Sequence, residues 1–288
     1  MSDSDSDTNK VRRKSKVHVK AKVFTSQIRA VSSEEDENDS DEAASSNNDS
    51  NEPIDIGQNS ACFALPTAEE QPKIFVLCGS CASGKSHMLK YMMYLFGKKK
   101  HFKFGLCFTS TKFTGDYAYL PDKSVREFDM DYLESYIKHL RNKMEVGKKQ
   151  HGKDWKLPHN FVIIDDSIGM VQNSGFFCNF IGTHRHTRTT VFLLSQLLTA
   201  ARSVSTVVRA NTSFAMMWPT AMRNAIEGLH KSYGQFYTYD EFKKKLDDCR
   251  ARKYSCLVFK NSPDFTDQAD AYCSIVAAPK IPDFQLTF

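Results

Sequence analysis

Lys73-Ile74-Phe75-Val76-Leu77-Cys78-Gly79-Ser80-Cys81-Ala82-Ser83-Gly84-Lys85-Ser86 is the stretch on which the fold turns. Its first six residues, preceded by Pro72, are an apolar run with β-branched and aromatic members, and they read as a buried strand. Gly79 to Ser86 fits G-x-x-x-x-G-K-[ST] in full. Beyond it Leu89, Met92, Met93 and Phe96 recur at helical spacing, and Gly97 is placed to end that helix. Strand, glycine loop and helix are the context in which the motif holds phosphate. The glycines allow a tight turn whose N–H groups point inward, and the helix N-terminus adds partial positive charge. Gly79, Ser80, Cys81, Ala82, Ser83 and Gly84, followed by Lys85, Ser86 and His87, are therefore candidate nucleotide-binding residues. Lys85 is expected to reach the β- and γ-phosphates of ATP, and the Ser86 hydroxyl to ligate Mg²⁺.

A second apolar run, Asn160-Phe161-Val162-Ile163-Ile164, ends in Asp165-Asp166. Carboxylates at the C-terminal end of a buried strand stand where open α/β sheets bind ligands. Asp165 suits the Mg²⁺-linked position, and Asp166 suits an acid that orients and activates the attacking water. A third run, Thr189 to Leu194, closes on Ser195-Gln196, and the Gln196 amide is a candidate sensor of the γ-phosphate or of that water. Two basic clusters flank this strand: His184-Arg185-His186-Thr187-Arg188 before it, and Arg209-Ala210-Asn211 after it. Arginine presents a planar set of donors suited to phosphate. Arg185, Arg188 and Arg209 are candidate arginine fingers reaching a neighbouring subunit; salt bridging or contact with a DNA backbone remain open for each.

Taken in order, Gly79-x-x-x-x-Gly84-Lys85-Ser86, Asp165-Asp166, Arg185-His186 ahead of the strand closing on Gln196, and Arg209-x-Asn211 before Ser213-Phe214-Ala215-Met216-Met217 resemble the poxvirus-type genome-packaging ATPases of the FtsK/HerA group. The resemblance runs from about Lys73 to about Phe259. It implies an α/β, RecA-like P-loop NTPase, a three-layer sandwich with a mostly parallel central sheet. It also implies ATP with Mg²⁺, a homo-oligomeric ring, double-stranded DNA as the cargo and capsid or virion-assembly proteins as partners. The place of action it implies is intracellular, at a viral assembly site in cytoplasm or nucleus, or in the virion. Wider FtsK/HerA motors often carry Glu at the Asp166 position, so the acid here is one methylene shorter.

The remainder is consistent with one such domain. Phe104 to Phe108 reads as a strand, Asp131 to Met144 as a helix, and Pro219 as the first turn of a helix reaching about Tyr233. Thr238-x-x-Glu241 has capping-box spacing ahead of a helix continuing through Cys249. Tyr254 to Phe259 and Tyr272 to Ala277 are candidate late strands. Lys98-Lys99-Lys100 and Lys148-Lys149 are expected in loops. Residues 1–66 read as a disordered acidic, Ser-rich tail, and 67–288 as the ATPase domain. Residues 1–59 carry 8 Lys+Arg against 13 Asp+Glu, whereas the rest carries 31 against 21. A basic body favours a nucleic-acid partner, although a solvated surface has the same composition. Within the tail, Arg12-Arg13-Lys14-Ser15-Lys16 could act as a nuclear-localisation signal or a DNA-contacting arm.

No apolar run approaches the ~18 residues that would cross a bilayer, and Met1-Ser2-Asp3-Ser4-Asp5 is the wrong start for a signal peptide. An intracellular chain should keep its eight cysteines reduced. Cys78-Gly79-Ser80-Cys81 has metal-knuckle spacing, but no second pair follows, and its central residues belong to the glycine loop. Two other functions fit a P-loop: a nucleoside or nucleotide kinase, with Gly182 to Thr190 as part of a lid, and a nucleotide-gated binding protein without turnover.

Overall fold

In the order of the chain, a computed structural model describes residues 54–55, 70–171, 174–196, 204–261 and 272–288. The strand that precedes the glycine loop, β2 (Ile74–Cys78), is buried at every position. A short edge strand β1 (Ile54–Asp55) lies upstream of it. After the loop come α1 (Lys85–Lys98) and β3 (Phe104–Thr109), then β4 (Val125–Arg126) and α2 (Met130–His151). β5 (Asn160–Asp165), α3 (Ile168–Val171) and α4 (Gly175–Thr183) lead to β6 (Thr189–Ser195). The chain closes with α5 (Thr206–Asn211), β7 (Phe214–Met217), α6 (Arg223–Tyr233), α7 (Tyr239–Asp248), β8 (Cys256–Lys260) and β9 (Tyr272–Ala277).

The strands form one sheet in the order β1-β9-β8-β7-β2-β6-β5-β3-β4. From β7 to β4 every pairing is parallel, while β8, β9 and β1 add on antiparallel. The parallel strands are buried on both faces, which is why they read as continuous apolar runs and not as alternations. Ile74, Val76 and Cys78 face a core built with α2, α4, α6 and α7. Phe75 and Leu77 face the other, built with α1 and the segment around Tyr117. Helices on both faces of a mostly parallel sheet make the three-layer α/β sandwich expected from the motifs. Phe75 stacks between Phe192 of β6 and Phe214 of β7, with ring centroids 5.0 and 5.1 Å away. Each such pair adds about 0.5–1.5 kcal/mol beyond the area it buries. Gly105 on β3 lies opposite Phe161 on β5, and a Cβ there would fall 2.3 Å from that ring.

Local expectations met their tests unevenly. The Thr238–Glu241 capping box forms with both of its hydrogen bonds. The helix at Asp131 is longer than expected, running from its Asp129 cap to Gly152, so Lys148 and Lys149 sit in its last turn and not in a loop. Lys98 likewise closes α1, and only Lys99 and Lys100 lie beyond it. Gly97 does not end α1 but lies within it, where a Cβ would come 2.6 Å from Leu286 Cδ2. The helix after Pro219 starts at Arg223. Thr220 holds the intervening turn, with its hydroxyl accepting from Met222 N and its carbonyl accepting from Arg250.

The pairing of Ile54–Asp55 with β9 brings into the sheet two residues upstream of the expected boundary at 66/67. The described residues all belong to one compact unit, Ser50–Phe288. The basic run at Arg12 and the acidic stretch around it lie outside the described residues. Among the described residues no helix is long and apolar enough to cross a membrane.

Candidate nucleotide site

The phosphate loop bridges the C-terminal end of β2 and the N-terminus of α1. Its backbone enters the left-handed region twice, at Ala82 (φ 57°) and at Gly84 (φ 109°). Alternation of this kind turns successive N–H groups toward one concavity, which is how such loops gather anion oxygens. Gly84 is needed on two counts: its φ, and the 3.0 Å that would separate a Cβ from the Tyr254 side chain. Gly79 is needed for room, since a Cβ would lie 2.6 Å from Ser83 Oγ and 2.7 Å from Trp218 Cβ. Ser83 Oγ is itself buried without a hydrogen-bond partner, a polar atom whose cost an oxyanion in the loop would remove.

Lys85 is buried to 8% exposure, and its Nζ donates to the Gly79 and Ser80 carbonyls at 2.8 Å each. The ammonium is thus folded back onto the loop, ready to exchange two carbonyls for phosphate oxygens. Ser86 is exposed at the mouth. His87 turns aside, donating to Pro279 O at 3.2 Å with its ring 5.8 Å from Tyr254, so it forms a wall of the site. Trp218 Nε1 donates to Tyr254 O and fixes that wall from below. Burial pushes the Cys78 thiol up to about 12, which leaves it inert, and Cys81 is exposed.

Asp165 ends β5 and is buried, and Tyr117 Oη donates to its Oδ2 at 2.7 Å. Desolvation pushes this carboxyl up to about 6; the Tyr117 hydrogen bond and the Lys85 charge pull it down, and Asp166 pushes it up. A desolvated carboxylate beside Lys85 and an open serine hydroxyl is a donor set that fits a hard divalent cation. The next residue, Asp166, sits at φ 51°, so the chain leaves the strand abruptly and the second carboxylate is exposed. Gln196 Nε2 lies 3.4 Å from both Asp166 oxygens. Just before Gln196, Ser195 O accepts from Gly79 N at 3.1 Å, which ties the tip of β6 to the phosphate loop. Phosphate loop, paired acids and Gln196 are therefore gathered at one corner of the sheet.

Of the candidate fingers, Arg185 and Arg188 are not gathered there. Arg185 stands in a short helical turn, His184–Thr187, that precedes β6, so it lies at the far end of that strand, ~20 Å from Ser195 at about 3.3 Å per residue. Arg209, on α5, precedes the parallel strand β7 and bonds Thr206 Oγ1 at 3.1 Å. Tyr117 is the site residue that sequence reasoning missed. It lies in a connection with no motif, and the only hint was an aromatic pair, Tyr117 and Tyr119, amid turn residues.

Because β6 is wedged between the phosphate-loop strand and the acid-bearing strand, a polar amide stands beside the acids, and the architecture is that of a RecA-like P-loop ATPase. The model of the poxvirus A32 protein family matches residues 62–280, and the chain belongs to that family, the viral genome-packaging ATPases that its motifs resemble. No curated protein matches it. Among solved structures, the pCW3 conjugation coupling protein TcpA, in monomer form with ATPγS, aligns over 80% of this chain and 67% of its own at 14% identity, TM-score 0.54. The genome-packaging NTPase B204 of Sulfolobus turreted icosahedral virus 2, in complex with sulfate, aligns over 74% of this chain and 100% of its own at 16% identity, TM-score 0.50. Both likenesses are of fold.

Proposed function

We propose that the protein hydrolyses ATP with Mg²⁺ and uses the energy to move double-stranded DNA into a capsid, working as a ring at an intracellular site of virus assembly. The observation that carries this reading is the Gln196–Asp166 pair beside the phosphate loop. An exposed carboxylate facing a neutral amide is suited to hold and deprotonate a water. A carboxylate can take the proton of an acceptor hydroxyl as well, so the phosphate-release assay below separates hydrolysis from transfer to a nucleoside.

The remaining roles follow from placement. The loop N–H groups and Lys85 hold the β- and γ-phosphates, and Lys85 gives up its two carbonyl contacts to do so. Ser86 and Asp165 would hold Mg²⁺, which neutralises the charge that gathers on the phosphates during transfer. Tyr117 keeps the Asp165 carboxylate turned toward the loop. Asp166 takes the proton of the attacking water, and Gln196 senses whether the γ-phosphate is present. Arg185, Arg188 or Arg209 would act as the finger on the nucleotide of a neighbouring subunit, the arrangement that a ring allows. ATPγS in the structure of TcpA supports ATP as the nucleotide.

Phosphate release by purified protein, with and without long duplex DNA, tests the reading. Release that rises with DNA and is lost in Lys85→Ala is expected. Release indifferent to DNA, with phosphate appearing instead on an added nucleoside, would sink the motor and promote the kinase.

A further inference from the structure

At the end of the sheet away from the phosphate loop lies an open cavity of 410 Å³. Lys148 from the last turn of α2, Lys156 from the turn before β5, and Arg185, His186 and Arg188 from the approach to β6 line it, with Trp155 among them. Trp155 is half-buried, and its ring lies against Gly147, where a Cβ would fall 2.3 Å away. The one acid on the rim, Glu70, already sits 4.0 Å from Lys73. Lys148, Lys156 and Arg185 are exposed and take part in none of the ion pairs found among the described residues.

Like charges brought around one concavity repel, and Glu70 is the one acid among the lining residues. Lys148 and Lys156, exposed and delivered by separate segments to one rim that Arg185 also lines, suit an anion from outside. We propose that this cavity binds phosphate groups of the duplex-DNA backbone, so that each subunit grips DNA on the side of its sheet opposite the nucleotide. The inference rests on the motor reading above and adds the place of contact. Duplex DNA fits better than a small phosphate. It presents a repeating line of charge, and each cation that replaces a condensed counterion adds to binding without needing fixed geometry. Flexible exposed lysines on an open rim suit that task. A single buried phosphate would be held by donors locked in place, as it is at the other end of the sheet.

The test is duplex-DNA affinity as a function of salt for the full chain, for Lys148→Glu/Lys156→Glu, and for a control of equal charge change on α6 and α7, Lys231→Glu/Lys244→Glu. The pocket variant is expected to bind roughly tenfold more weakly at moderate salt, with the slope of log affinity against log salt flattened by about 2. Its ATP hydrolysis without DNA and its melting temperature should match the wild type, and the control variant should keep the wild-type slope. Equal losses in both variants would mean a diffuse basic field and would overturn the pocket. Unchanged DNA binding in the pocket variant, with the wild type binding DNA, would overturn it too while leaving the motor standing. A wild type that binds no duplex at any salt would remove the motor reading and the pocket together.

Discussion

The two ends of the parallel strands handle charge in opposite ways. At the C-terminal end each functional charge has a partner in the fold: Lys85 two loop carbonyls, Asp165 Tyr117, and the exposed Asp166 Gln196. At the N-terminal end Lys148, Lys156 and Arg185 stand exposed around a cavity. The tied end has paid its ordering entropy at folding and is set for chemistry. The open end keeps long side chains free and is set for a partner whose position shifts. Chemistry at the first should therefore collapse on a small change of atoms, whereas binding at the second should decline by increments.

Asp166→Asn is the sharpest test of that contrast. It keeps the shape and the contact with Gln196 but removes the base, so hydrolysis should fall about 10²–10⁴-fold while binding of a fluorescent ATP analogue stays within a factor of a few. Hydrolysis near the wild-type rate would end the water-activating role.

Asp165→Asn probes the cost of a tied charge. This carboxyl sits above its ordinary 3.8, at about 6, because burial disfavours the anion. Below about pH 3 it is neutral in folded and unfolded chains alike and costs nothing. As pH rises toward 6 the unfolded chain ionises freely while the folded chain resists, and above 6 the penalty is complete. In metal-free protein the substitution should therefore stabilise by up to about 3 kcal/mol at pH 7–8, fading to nothing below about pH 3. Chemical denaturation across that range would show it, and a stabilisation that does not vary with pH would assign the effect to something other than ionisation.

Tyr117→Phe is the mildest. Loss of the hydroxyl frees the Asp165 carboxylate to turn, and Mg²⁺ affinity measured by calorimetry with a non-hydrolysable ATP analogue should weaken about tenfold, with nucleotide affinity in EDTA unchanged. Unaltered Mg²⁺ affinity would reduce Tyr117 to packing.

What was legible in the sequence follows the same divide. The tied end is coded locally: strand, glycine loop and helix lie within 73–98, and Asp165-Asp166 and Ser195-Gln196 each close an apolar run whose burial fixes its direction. What could not be read there was contact between distant segments. Nothing between Phe104 and Asp131 announces that Tyr117 would meet a carboxylate 48 residues on, and no periodicity states that β6 inserts between β2 and β5. The cationic cavity was invisible for the same reason, since its lysines and arginines come from separate stretches that each look like ordinary solvated charge. Helix ends were misjudged by a few residues at Pro219 and Gly97; the turn after Pro219 is held by Arg250, and Gly97 is packed close to Leu286, contacts that propensity does not contain.

Strand β6 has a further consequence. It is hydrogen-bonded along both flanks, to β2 and to β5, and so is stiff along its axis. Its tip is fastened to the phosphate loop through Ser195 O, and its root begins at Arg188, on the rim of the basic cavity. A single rod thus spans the domain from Gln196 to the basic rim. A displacement of a few tenths of an ångström at Gln196 when the γ-phosphate departs has no soft joint along β6 in which to dissipate.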